Sequence, residues 1–253
     1  FETAGAELDA DAVARLLDRE DIPFLGEMMN WPGVLAEDPG VMAKIRAALD
    51  RGKPVDGHAP GLTGERAARY IAAGISTDHE CSTLEEALDK LERGMRILIR
   101  EGSAARDFDE LIPALERYPG RIMLCSDDKH PDDLQQGHIN ILAARALQRG
   151  FDMWTVLEAC SLLPVRHYGL DVGLLREGDS ADFIVVRDLD SMEVEQTWIE
   201  GDCVWDGERV RLPQRQVEPV NNFVSHSPEP EDFRVRWGEE AFPFIEASEG
   251  SLL

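Results

Sequence analysis

Met95-Arg96-Ile97-Leu98-Ile99-Arg100-Glu101 and, after an amphipathic stretch at Phe108–Arg117, Ile122-Met123-Leu124-Cys125-Ser126-Asp127 decide the fold. Two short apolar runs that end in polar residues enclose a segment of helical period, the texture of a strand–helix–strand unit. The alternation extends upstream. Ile22–Gly26 is an apolar run ending at Glu27, with a helix expected around Val41–Leu49. Pro54–Gly57 is a weaker run ending at His58, and Gly64–Ala73 reads as helix with Thr63 a candidate N-cap. Ile75–Thr77 leads to Asp78 and His79. Ser82 or Thr83 then caps a helix at Leu84–Arg93, whose first turn suits Glu85 and Glu86. Beyond Asp127, two or three helices are expected through about Tyr168.

Repeated strand–helix units imply an α/β fold with a parallel sheet and right-handed crossovers. Five units suit either an open sheet or part of an eight-stranded barrel. The strands deliver Glu27, His58, His79 and Asp127 at their C-terminal ends, the face where barrel enzymes place their chemistry. The texture changes after Gly169. Ala181–Val186 is a strand run, Glu193–Ile199 alternates, Glu200-Gly201-Asp202 turns, and Cys203–Trp205 pairs back as a hairpin. Residues 213–230 are polar and proline-bearing, a linker or irregular edge, and Phe233–Leu253 has some strand character. The expected division is a partial (β/α) barrel over 1–170, a small β-domain over 171–212, and a linker with the start of a further domain over 213–253.

Composition limits the function classes. Hydrophobic residues make up 43% of the 253, enough for a core. Fifty acidic residues against 26 basic ones give a net charge of -24, which repels phosphate backbones and argues against nucleic acid as a partner. The acid excess reads as a solubility device suited to a salty cytoplasm. Lysine occurs only at Lys44, Lys53, Lys90 and Lys129. Cys81, Cys125, Cys160 and Cys203 show no CxxC, so neither a disulfide framework nor a thiolate zinc site is expected, in keeping with the cytoplasm. No apolar run approaches the length of a transmembrane helix. Phe1 is not a natural start, so an upstream segment is expected.

Imidazole and carboxylate at four strand ends suit a divalent transition metal. Taken singly, each residue has an ordinary structural reading: His58 and His79 as hydrogen-bonded strand-end residues, Glu27 as a helix-entry acid, Asp127 as a helix cap. Sharing one face is what favours a common site. Trp31, Trp154 and Trp198 read as packing residues, and His167 and Tyr168 as structural.

The words around these residues resemble the adenine deaminases of the amidohydrolase superfamily. Gly26-Glu27-Met28-Met29-Asn30-Trp31-Pro32-Gly33-Val34, Val55-Asp56-Gly57-His58-Ala59-Pro60-Gly61, Ser76-Thr77-Asp78-His79-Glu80-Cys81, Arg100-Glu101-Gly102-Ser103-Ala104-Ala105 and Ser126-Asp127-Asp128-Lys129-His130-Pro131-Asp132-Asp133 are similar, in order, to that family's strands four to eight. Gly137-His138-Ile139 and the opening Phe1-Glu2-Thr3-Ala4-Gly5-Ala6 also resemble family segments. The resemblance implies the second half of a TIM-like (β/α)8 barrel, strands four to eight, followed by a small β-rich domain. It implies metal ligation by Glu27, His58, His79 and Asp127, Glu27 being able to bridge two ions. Asp127 would also carry the proton while water attacks C6 of adenine, giving hypoxanthine and ammonia. Arg100, Glu101 and Ser103 would read the ring edge, with Asp128 and His130 beside them. Glu80, Asp128 and His130 would stand behind the ligands or transfer protons, or be structural. The cofactor would be a binuclear divalent centre, Mn or Fe by resemblance, with Zn and Co equally suited by ligand type. A homodimer is also implied.

The chain departs widely from the family pattern. The family's two further ligands come from a His-x-His at the end of strand one, and the six histidines here, His58, His79, His130, His138, His167 and His226, include no pair two apart. Strands one to three have no counterpart either, so the chain reads as part of a longer protein. The rivals are a cyclic-amide hydrolase of dihydroorotase or imidazolonepropionase type, differing at Arg100–Ser103, and a non-catalytic fragment serving as a binding surface.

Overall fold

The computed structural model describes residues 6–218, 224 and 226–235. The expected strand character after Val235 and the opening segment through Gly5 lie outside these residues. Five short parallel strands come first: β1 Leu25–Met28, β2 Val55–Gly57, β3 Thr77–Asp78, β4 Arg96–Arg100 and β5 Ile122–Cys125. β1 pairs with β2, and β3 with β4 and β4 with β5, all parallel; the last pair is in register from Ile97↔Ile122 to Arg100↔Cys125. β2 and β3 are joined less regularly. The Ser76 N–H and hydroxyl both donate to the Val55 carbonyl, at 2.9 and 3.0 Å. The strands thus lie side by side in chain order. That order is what successive crossover connections produce.

Helices occupy the connections. Pro39–Leu49 follows β1, Gly64–Ala72 follows β2 and Leu84–Glu92 follows β3. Local chemistry sets their starts. Asp38 accepts the Val41 N–H and Thr83 the Glu86 N–H, whereas Thr63 occupies a cap position without a side-chain bond. Ile45, Ala48, Ala67, Ala87 and Leu91 turn inward onto Val55, Ile97, Ile99, Ile122 and Leu124, forming one contiguous core. Each fully buried Ile or Leu contributes about 1.5–3 kcal/mol.

Several expectations shift. β1 begins at Leu25, not Ile22, so Glu27 lies inside the strand instead of just past it. The helix expected over Phe108–Arg117 is two short ones, Phe108–Leu111 and Ala114–Arg117, because Pro113 lacks the N–H that would continue the first. Four helices, not two or three, follow β5: Pro131–Leu134, Ile139–Gln148, Met153–Leu157 and Leu163–Tyr168. A π-turn at Glu158–Leu162 separates the last two. Pro164 explains it: an α-helical course would drive its ring into the carbonyl of Cys160, and the wider turn avoids this. A helix at Ala10–Leu17 was not expected, although Asp9 as a cap and Val13 and Leu17 one turn apart signal it. Trp154 is 67% exposed, so it is not the packing residue expected.

β6 Phe183–Val186, β7 Val194–Ile199 and β8 Asp202–Trp205 form an antiparallel sheet. Glu200 and Gly201 both have positive φ, 52° and 86°, as a tight primed hairpin turn requires. Phe183 stacks on Trp198 at 5.6 Å. The β6–β7 connection rests on the helix Ile139–Gln148, where Asn140 and Gln148 donate to the Met192 and Asp190 carbonyls. No helix among the described residues is long and apolar enough to cross a membrane.

Candidate functional site

The C-terminal ends of the parallel strands bring together side chains distant in sequence. Close packing of backbones makes this possible. A Cβ on Gly57 would lie 2.2 Å from the Thr77 carbonyl oxygen, so only glycine lets β2 approach β3 this closely. The buried Tyr70 hydroxyl donates to the Met28 carbonyl at 2.8 Å and accepts the His58 N–H at 3.0 Å. It thereby ties the ends of β1 and β2, and with them Glu27 and His58.

His58 Nδ1 lies 2.7 Å from Glu27 Oε2 and 3.5 Å from Glu80 Oε1. His79 Nε2 lies 3.4 Å from Glu27 Oε2, 3.5 Å from Glu80 Oε1 and 4.0 Å from Asp127 Oδ1. The two imidazoles meet edge to face at 5.4 Å. The hydrogen bonds from His58 and His79 hold the Glu27 carboxyl well below the usual carboxylate range. Burial opposes a charge on His79, but the hydrogen bond and charge of Glu27, with Asp78 and Glu80 adding to it, raise its pKa overall. The cluster is graded in exposure. Glu27 is 44% exposed, whereas Glu80 and Arg100 beneath it are 6% and 2%. The site is therefore open on one side and closed on the other.

Arg100 forms the closed side. Its guanidinium is bonded to Glu80, to Asp107 at 3.0 Å and to Asp127 at 3.3 Å. Asp127 has a φ of 45°, an uncommon left-handed conformation, and its carboxylate lies between Arg100 and His79. Two residues before His58, and on the same side of the strand, lies Asp56. Burial raises its pKa, against hydrogen bonds from Thr77 and Tyr168. Tyr168 also packs on Phe24 at 4.7 Å.

The other expected site residues lie along a seam between the loops after β4 and β5. Glu101 pairs with Arg145 and accepts the Phe108 N–H at 3.1 Å. The Ser103 hydroxyl donates to Asp133 and accepts the His130 N–H at 2.8 Å. Asp128 Oδ2 accepts the Ala104 N–H at 3.3 Å, while its Oδ1 is buried without a hydrogen-bond partner against Gly102. Among the described residues, Glu101, Ser103, Asp128 and His130 make no hydrogen bond to Glu27, His58, His79 or Asp127. Glu101, Lys129, Asp133 and Arg145 line a recess of about 280 Å³ at this seam.

The donor set fits a divalent cation. Glu27, His58 and His79 form one group, and His79, Glu80 and Asp127 a second, whose ligand atoms lie within 4.8 Å of one another. Glu80, Asp107 and Asp127 surround one guanidinium, and Glu27 adds a fourth carboxylate against the imidazoles, an excess of negative charge that a bound cation would balance. A third group, Asp78, Cys81 and Glu86, differs because the Lys90 ammonium already occupies it. The sequence reading missed Asp107, Asp56 and Lys90. For Lys90 a signal was available: a charge three residues after Ala87 and one before Leu91, on the apolar face of its helix.

The amidohydrolase family model matches residues 6–204. The chain is 56% identical over 252 residues to an adenine deaminase of Salinibacter ruber, covering all of this chain and 46% of that protein. It is 52% identical over 224 residues to one of Methanosarcina mazei, covering 88% of this chain and 40% of that one. It is 40% identical over 257 residues to one of Borreliella burgdorferi, covering all of this chain and 47% of that one. It thus spans about half the length of the curated relatives it matches. Among solved structures, a β-aspartyl dipeptidase of Fervidobacterium islandicum superposes with a TM-score of 0.59 at 19% identity, over 81% of this chain and 63% of that one. An N-acetyl-D-glucosamine-6-phosphate deacetylase of Mycobacterium smegmatis gives 0.55 at 17%, over 79% and 60%. These two likenesses concern the fold.

Proposed function

The chain belongs to the amidohydrolase family, and on that premise we propose that it carries the second half of a (β/α)8 barrel, with a small β-rich domain behind it, of a protein that deaminates adenine to hypoxanthine and ammonia. The observation that carries this reading is the convergence of Glu27, His58, His79, Glu80 and Asp127 at one end of the parallel strands. Identities of 40–56% to adenine deaminases favour adenine over a cyclic amide.

Glu27, His58, His79 and Asp127 would hold the divalent metal, with Glu80 adding a carboxylate between the imidazoles. Mn or Fe is our choice for its identity, and a binuclear centre for its form. When bound, the metal supplies activation of water as a nucleophile near neutral pH. Asp127, on the open side, takes the proton from the attacking water at Oδ1. It passes that proton to the ring nitrogen, and the hydroxyl proton of the C6 adduct then goes to the leaving amine as the carbonyl forms, so adenine and water give hypoxanthine and ammonia. Arg100 orients Asp127 and Glu80 through its fixed guanidinium. With Glu101, Ser103, Asp128 and His130 we assign it to the wall that reads the purine edge; those four act through the order of the loop seam. The partners would be a small molecule and a second copy of the protein, and the setting the cytoplasm.

Loss of each substrate on incubation with the whole protein, followed by its ultraviolet absorbance, with ammonia measured for adenine, tests the reading. Adenine should be turned over and a dihydroorotase-type cyclic amide should not. Faster turnover of the cyclic amide, or none of adenine, would refute it.

A further inference from the structure

Beneath the candidate metal centre lies a buried ionic knot that the reaction does not use. Lys90, on the helix Leu84–Glu92, is 1% exposed. Its ammonium has three donors, and all three are engaged: the Ala59 carbonyl at 2.7 Å, Asp78 Oδ2 at 2.9 Å and Glu86 Oε1 at 2.7 Å. The acceptors reach further. Asp78 Oδ1 takes the Ala59 N–H at 2.8 Å, its Oδ2 takes the Glu80 N–H at 3.2 Å, and Glu86 Oε1 takes the Gly61 N–H at 2.9 Å. Residues 59 and 61 follow His58, and residues 78 and 80 flank His79.

Stability alone is a poor explanation for such a group. A buried ion pair pays a large desolvation cost, and apolar residues of the same volume often serve as well or better. What an apolar replacement cannot supply is direction. Apart from the Cys81 thiol, which donates to Asp78 Oδ2 at 3.2 Å, the bonds of the knot end on backbone groups within three residues of a proposed metal ligand or on the carboxylates that accept from them.

We propose that Lys90, with Asp78 and Glu86, is a positioning residue that fixes the loop bearing His58 against the loop bearing His79 and Glu80, and so sets the affinity of the metal centre. This rests on the metal reading above. Residues that orient ligands in this way typically cost about 10–100-fold in metal affinity when changed.

Two variants of the whole protein test it. Lys90→Met with Asp78→Asn removes one charge of each sign and keeps an acceptor for the Ala59 N–H. Glu86→Ala cuts the Gly61 tie and leaves the Lys90–Asp78 pair whole. Free Mn(II) is followed by its electron paramagnetic resonance signal during titration, with circular dichroism and a cooperative thermal transition to establish folding. The double variant should fold and bind Mn(II) about 10–100-fold more weakly. Glu86→Ala should fold and show a smaller loss. A folded variant that keeps the wild-type Mn(II) affinity would overturn the proposal. So would failure of both variants to fold, since the knot would then serve the scaffold alone. Wild-type protein that binds no Mn(II) would instead overturn the metal reading beneath it.

Discussion

At the scale of single residues, Asp127 bears most of the proposed chemistry, and its backbone makes it testable. With φ at 45°, it sits where asparagine is tolerated nearly as well as aspartate. Asp127→Asn should therefore preserve the fold while removing the base. Turnover of adenine should fall by about 10²–10⁴-fold, as loss of general acid–base catalysis does. Steady-state kinetics beside an unchanged melting temperature would show it, whereas retained turnover would remove Asp127 from the mechanism. The four strand-end residues were legible because each ends an apolar run, and the resemblance weighted them further. Glu80 was visible only as a neighbour of His79. Its place between both imidazoles depends on a turn of the chain after β3 that no local pattern encodes. For Arg100 the sequence suggested a place at the substrate edge and gave no sign of its three carboxylate partners, which lie 7, 20 and 27 residues away and are brought to it only by folding.

At the scale of elements, the helix Leu163–Tyr168 gives a prediction about pH. It starts from the π-turn, ends at Gly169 with φ of 62°, and sets His167 3.4 Å from the Ser76 hydroxyl. Burial, with the positive charge of Arg96 adding to it, lowers His167 to about 4. The unfolded chain, with an ordinary histidine near 6.5, binds that proton more readily. The stabilisation is thus whole above about 6.5 and is lost progressively as pH falls through 4. Urea midpoints at pH 7 and pH 4.5 should fall further for wild type than for His167→Gln, and equal falls would contradict the assignment. Strand boundaries show what sequence patterns resolve. Ile122–Cys125 matches its apolar run residue for residue, because both faces are buried. β1 does not, because its run begins before the backbone reaches the Pro54 carbonyl that pairs with Leu25.

At the scale of the whole molecule, the net charge of -24 dominates. Like charges this dense repel one another in the compact state, and salt screens them over about 10 Å at 0.1 M and about 3 Å at 1 M. The melting temperature should therefore rise between 0.1 and 1 M NaCl, and a fall would mean that attractive ion pairs dominate the surface. The chain matches about half the length of its relatives, yet it brings two imidazoles and three carboxylates to one rim. Whether that rim holds metal is the question on which the rest depends. Crystals of the whole protein soaked in Mn(II), with data collected at the manganese edge, answer it most directly. An anomalous peak within bonding distance of Glu27, His58, His79 and Asp127 is the expected result. A map with no peak there, or with its strongest peak elsewhere, would contradict the account.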